Sequence, residues 1–129
     1  MKSIEVVAAI IIKDKKVFAA ARGYGEYVNM YEMPGGKVKP GETDEEALKR
    51  EIKEELDTEI EVKQFVQKIE YDYPTFHLAM DCYLCEVVSG KLTLLEHNDA
   101  KWLEKGELHT VEWLPADELL LGQLEKLLE

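Results

Sequence analysis

Three acidic side chains crowded onto one predicted helix are the residues of this chain best suited to chemistry. Residues 43–56 contain no Gly and no Pro and are mostly Glu, Lys, Leu and Ala, a helical composition. At 3.6 residues per turn, Glu51, Glu54 and Glu55 fall within an arc of about 100°, one turn apart. Like charges at that spacing destabilise a helix by roughly 0.2–0.5 kcal/mol per pair. The same arc carries Ala47 and Leu48, and Ile52 and Leu56 extend the apolar stripe, so the carboxylates stand at the edge that faces a core. Repulsion is less screened there than in open water. Arg50 can pair with Glu54 at i+4 but cannot neutralise all three. Two readings follow. Either the trio is a solvated charged face with Lys49 and Lys53 nearby, or it supplies oxygen ligands to a divalent cation, Mg²⁺ or Mn²⁺. The acids at the helix start need neither reading. Thr43 with Glu46 makes a capping box, and Asp44 and Glu45 suit the positive end of the helix dipole.

The rest of the chain supplies elements to hold that helix. Residues 6–12 are an unbroken apolar run rich in β-branched side chains, closed by the charged turn at Asp14-Lys15-Lys16. Seven residues are too few to span a bilayer, and the flanks are wrong for a secretory signal, so the run predicts a buried strand. Residues 17–21 form its hairpin partner, ending at Arg22, and a loop at residues 23–26 follows. A short element at 31–33 precedes the turn signals Pro34-Gly35-Gly36 and Pro40-Gly41. Residues 60–69 read as a strand whose alternation breaks at Phe65-Val66. A turn near Pro74 leads into a strand over 77–88, and Ser89-Gly90 leads on to residues 91–94. A last amphipathic helix is expected to start near Asp117 and to carry Leu120, Leu121, Leu124, Leu127 and Leu128. Strands flanking one central and one terminal helix predict an α/β sandwich with a mixed sheet.

Composition narrows the partners. The 129 residues suit one domain, and 46% hydrophobic residues are enough to bury a core. Twenty-seven acids against 16 Lys and Arg leave a net charge of −11, which repels nucleic-acid polymers and anionic membranes. A polyphosphate ligand would need metal ions or a few local cations to approach. Cys82 and Cys85 are too few for a disulfide framework, so the default compartment is the reducing cytoplasm.

Gly36, five residues, Glu42, seven residues, then Arg50-Glu51-Ile52-Lys53-Glu54-Glu55 resembles the Nudix box. Similarity to MutT-type members extends to the strand pair ending at Arg22, the Glu32–Gly36 lead-in, residues 71–74, Glu96, Trp102 and residues 114–117. Asp57 stands where the box has Gly, and Thr58 where it has an aliphatic residue. Asp tolerates a left-handed backbone better than most residues, so the helix end is expected to survive.

The resemblance implies one Nudix domain over residues 1–129, folded as an α/β/α sandwich with a mixed β-sheet. It implies metal ligation by Glu51, Glu54, Glu55, Glu96 and the Gly35 carbonyl, with Mg²⁺ expected and Mn²⁺ as the alternative. Glu42 supports the site. Catalysis falls to Glu54, Glu55, Arg50 and Glu96, with Arg50 orienting a neighbouring glutamate and Glu96 either ligating or acting as base. Arg22 and Lys37 contact substrate phosphates.

The implied reaction is hydrolysis of (deoxy)nucleoside triphosphates to monophosphate and pyrophosphate in the cytoplasm, by a monomer or homodimer that sanitises the nucleotide pool. Positions matching Met33, Phe76 and Asp117 contact the base in such enzymes. Asp117 can accept from cytosine N4 or from guanine N1 and N2, so (d)CTP and oxidised dNTPs such as 8-oxo-dGTP both fit. Core packing of Met33 and Phe76, and helix capping by Asp117, are the competing readings.

The box also accommodates ADP-ribose or another nucleoside diphosphate derivative, against which the short chain weighs. A non-catalytic nucleotide-binding domain would have no need of the repelling trio. Other constellations carry less. Cys82 and Cys85 lie three apart in a strand and point to opposite faces, with no second pair to complete zinc ligation. His77, His97 and His109 have no nucleophile beside them in the sequence, and Tyr24, Tyr27 and Tyr31 read as ordinary packing, with the lining of a pocket mouth as the alternative.

Overall fold

The computed structural model describes residues 2–129. Strand β1 (Lys2–Lys13) turns through Asp14 and Lys15, both at positive φ, into β2 (Lys16–Ala21). Two left-handed residues in succession match the twist a tight hairpin requires. Short strands β3 (Tyr31–Glu32) and β4 (Gly35–Lys37) lead to helix α1 (Asp44–Leu56). Long strands β5 (Glu59–Tyr73) and β6 (Phe76–Ser89), then β7 (Asp99–Leu103), complete the strands, and two short helices, α2 (Pro115–Glu118) and α3 (Leu121–Leu127), follow.

The sheet is mixed, as expected. β1 runs parallel to β6 and antiparallel to β2 and β4, β5 pairs antiparallel with β6, and β3 and β7 both pair with β2. Because β1 is covered on both faces, its apolar run shows no polar alternation. Val7, Ala9 and Ile11 pack with Ala47, Leu48, Ile52 and Leu56 of α1. Ala8 and Ile10 pack on the other side with Ala116, Leu120, Leu121 and Leu124. Helix, sheet and helices therefore form an α/β/α sandwich. Cys82 and Cys85 are buried, one in each of these two clusters.

Helix α1 is capped as the sequence indicates. Thr43 accepts from Glu46 N, the Glu46 side chain answers to Thr43 N, and Asp57 takes the left-handed position at φ 48° that Gly holds in the box. Phe65-Val66 coincides with a bulge, the register shifting between Phe65 and Gln67.

Two expectations need correction. The terminal helix is broken in two, because Leu119 and Leu120 donate three residues back, to Ala116 O and Asp117 O, in the tighter 3₁₀ pattern. Asp117 does not cap it, since α2 starts earlier, with Leu114 at the N-cap and Pro115 in the first turn. β7, at 99–103, has no counterpart in the sequence reading, being too short and too mixed in composition to announce itself.

Candidate active site

α1, β4, the end of β2 and the loop before β7 converge on one open cleft of about 780 Å³. Glu51, Glu54 and Glu55 reach it from α1, Gly35, Gly36 and Lys37 from β4, and Glu96 and His97 from the loop. Arg22 and Glu32 close one side, and Phe76 and Leu78 of β6 line another.

The helix carboxylates are not equivalent. Glu51 lies against β4 so closely that a Cβ on Gly36 would sit 2.5 Å from its Cδ. Glycine there is a steric requirement of the carboxylate. A side chain on Gly35 would likewise strike the Val7 carbonyl of β1, so the close β4–β1 approach also needs glycine. Glu54 is the most open of the three, its side chain 52% exposed. Glu55 is mostly buried, and its Oε1 has no hydrogen-bond partner. Burial, followed by the charges of Glu51, Glu32 and Glu96, pushes the Glu55 carboxyl up to about 8. Four carboxylates thus share one neighbourhood.

Arg50 braces this arrangement from behind. Its Nε and Nη2 donate to the two oxygens of Glu42 at 2.6 and 2.9 Å, and Nη2 also reaches the Lys37 carbonyl at 3.0 Å. Nη1 donates to Glu51 at 2.8 Å and to Glu54 at 3.3 Å. This fork is a geometry only guanidinium provides. It holds the Glu42 carboxyl down at about 2, helped by the Lys39 backbone.

A partnerless buried carboxylate oxygen among three other acids is unfavourable unless a proton or a cation joins it. The oxygen-only donor set fits a hard divalent ion. Among the described residues, no three His, Cys, Asp or Glu side chains already stand at ligating geometry.

The residues expected to meet substrate divide into two groups. Arg22, Lys37 and Phe76 line the cleft. Met33 and Asp117 do not; both are buried, and Asp117 Oδ2 accepts the Met33 backbone N–H at 2.8 Å. Burial, then the charge of Glu32, pushes the Asp117 carboxyl up to about 8. Core packing is therefore what Met33 does here, while Phe76 stacks on Tyr73 at 5.0 Å and still borders the cleft. Tyr24 is exposed at the cleft edge, whereas Tyr27 packs against Tyr73.

Two cleft residues escape the sequence reading. Glu32 accepts from Arg22 Nη2 at 2.9 Å and bonds His97 Nε2 at 3.1 Å, so it ties the end of β2 to the Glu96 loop. Its signal is an acid two residues before the Pro-Gly-Gly turn, on a strand paired with β2 beside Arg22. His97, with its side chain only 4% exposed, gives no signal except its place next to Glu96.

The NUDIX domain model matches residues 2–128. The chain is 34% identical over 122 residues to the CTP pyrophosphohydrolase of Escherichia coli K12, covering 94% of this chain and 90% of that one. It is 29% identical over 129 residues to the 8-oxo-dGTP diphosphatase of the same strain, covering 98% and 100%. The solution structure of the E. coli ORF135 protein superposes with a TM-score of 0.84 at 34% identity, over 98% of this chain and 91% of that one. Nudix hydrolases generally use divalent metal ions, which agrees with the oxygen-rich cleft. With matching fold, matching box and relatives covered nearly end to end, the chain belongs to the NUDIX domain family of hydrolases.

Proposed function

We propose that the whole chain, residues 1–129, is one Nudix hydrolase domain that cleaves (deoxy)nucleoside triphosphates to monophosphate and pyrophosphate, with Mg²⁺ as its ion and Mn²⁺ as a substitute. The observation that carries this reading is Glu55, buried with a partnerless oxygen among Glu51, Glu32 and Glu96 at the wall of an open cleft. Glu51, Glu54, Glu55, Glu96 and the Gly35 carbonyl would hold the ion. When bound, it supplies charge neutralisation on the phosphate oxygens and a more acidic water.

The remaining chemistry belongs to side chains. Arg22 and Lys37 offer cations to the phosphate chain, and Glu32 keeps the Arg22 guanidinium aimed into the cleft. Arg50, held by Glu42, fixes Glu51 and restrains Glu54. Water attacks the β-phosphorus, the bond to the α–β bridging oxygen breaks, and that oxygen leaves with the monophosphate. A carboxylate of Glu54, Glu55 or Glu96 takes the water proton, a role worth ~10²–10⁴-fold in rate. Phe76 offers a face for a base to stack on. Met33 and Asp117 act from behind the cleft wall, where the Met33 backbone N–H donates to Asp117 Oδ2, and would shape the base pocket without touching the base.

(d)CTP and modified dNTPs such as 8-oxo-dGTP are the substrates this site favours, in keeping with a cytoplasmic role in nucleotide-pool sanitation. No described helix is long and apolar enough to cross a membrane. The net charge of −11 argues against nucleic-acid polymers as partners. The protein acts as a monomer or homodimer.

A panel of dCTP, CTP, 8-oxo-dGTP, canonical dNTPs and ADP-ribose, each with Mg²⁺ in ¹⁸O-water, tests the proposal. Pyrophosphate carrying the label is expected from a triphosphate. AMP from ADP-ribose with no triphosphate turnover would replace the substrate class, and binding without turnover would make the domain non-catalytic.

A further inference from the structure

Thr58 breaks the Nudix box pattern and is completely buried. A buried hydroxyl in place of an aliphatic side chain is a cost unless both its donor and its acceptor are used. Both are. Thr58 Oγ1 donates to Leu56 O at 2.9 Å and accepts from Leu92 N at 2.8 Å. The neighbouring backbone continues the attachment, with Thr93 N donating to Leu56 O at 2.9 Å and Leu95 N to Glu55 O at 3.1 Å. Helix-end carbonyls normally left to water are thereby taken by a single loop.

That loop carries Glu96, the residue after Leu95, into the cleft. Its backbone is held in a shape it would not choose. Leu92 sits at φ 53°, a left-handed conformation costly for Leu, and persists where its surroundings determine it. Gly90, at φ 103°, lets the loop root press on Thr58: a Cβ there would lie 2.8 Å from Thr58 Oγ1 and from Asp57 O.

We propose that Thr58 is a positioning residue, whose hydroxyl latches the Glu96 loop onto the end of the helix that bears Glu51, Glu54 and Glu55. Glu96 then moves with that helix rather than with the rest of the loop. The inference rests on the proposed role of Glu96, so its test separates the two.

Thr58→Val keeps the shape and removes both hydrogen bonds, Thr58→Ser keeps the hydroxyl, and Gly90→Ala keeps the Thr58 hydroxyl but drives a methyl against Thr58 and Asp57 O, pushing the loop root away. With dCTP and 8-oxo-dGTP as probes, below the melting transition, Thr58→Val and Gly90→Ala are expected to lower kcat about tenfold. KM should stay within about twofold, and Thr58→Ser should restore most of the loss. Amide exchange at Leu92, Thr93 and Leu95 should quicken about tenfold in Thr58→Val while β1 is unchanged. In a Glu96→Gln background, Thr58→Val should have little further effect on kcat.

Faster exchange with unchanged kcat overturns the proposal, as does an equal fractional loss with and without Glu96. Equal behaviour of the Val and Ser variants does so too. Should Glu96→Gln alone leave turnover intact, the Glu96 role falls and the latch stands or falls on the exchange comparison of Val against Ser.

Discussion

Replacing Glu55 with Gln should make the metal-free protein more stable and the enzyme inactive. In the folded chain, burial and then the charges of Glu51, Glu32 and Glu96 raise the Glu55 carboxyl from 4.5 to about 8. A carboxyl raised on folding favours the native state below its unfolded value. That contribution is lost as pH climbs through the folded value. At about 1.36 kcal/mol per pH unit, the loss accumulated between pH 4.5 and 8 has a ceiling of ~5 kcal/mol. Residual solvent contact and local relaxation should roughly halve it, leaving ~2 kcal/mol at pH 8. Gln has no proton to lose, so the variant escapes this decline. Urea unfolding of both proteins in EDTA at pH 5, 6, 7 and 8 measures the gap, which should be near zero at pH 5 and widen upward. Saturating Mg²⁺ should narrow or reverse it, because the ion binds the ionised wild-type site. Turnover should fall at least ~10²-fold. A variant that is less stable than wild type at pH 8 in EDTA, or a gap independent of pH, would refute the electrostatic reasoning.

Arg50→Lys should leave the helix content intact yet weaken Mn²⁺ binding roughly 10–100-fold in a calorimetric titration, since an ammonium cannot serve Glu42 and Glu51 as the fork does. Gly36→Ala should cost about 10²-fold in kcat with little change in circular dichroism, because the new methyl occupies the space of the Glu51 carboxylate. Asp117→Asn should flatten the pH dependence of stability. The wild-type carboxyl, raised from 3.8 to about 8 chiefly by burial, loses its contribution across that window. The amide can still accept from Met33 N–H, so chemical denaturation should show the variant gaining on wild type as pH rises from 5 to 8.

Local signals made much of this molecule legible in its sequence. The capping box at Thr43, the left-handed Asp57 and the apolar run of β1 each obey rules that operate within a few residues. The trio on α1 is visible for the same reason, as helical spacing alone brings it together. What depends on distant partners was harder to see. Asp117 reads in the sequence as a base contact or a helix cap, and the backbone N–H that it accepts lies 84 residues away. Glu32 and His97 acquire meaning only when β3 and the Glu96 loop meet across the cleft. β7 exists because β2 offers it an open edge, not because residues 99–103 favour extension. Thr58 looked like a minor departure from the box, and its hydroxyl proves to be fully used within the core.

The central claim is that the acidic face of α1 holds a divalent ion against a triphosphate. Anomalous scattering from crystals grown with Mn²⁺ and a non-hydrolysable α,β-methylene triphosphate measures this directly. At least one Mn²⁺ peak is expected within about 2.5 Å of carboxylate oxygens from Glu51 and Glu55, with the phosphate chain on its open side. Nucleotide seated in the cleft without an Mn²⁺ peak at those glutamates, or with Mn²⁺ bound only elsewhere, would contradict it.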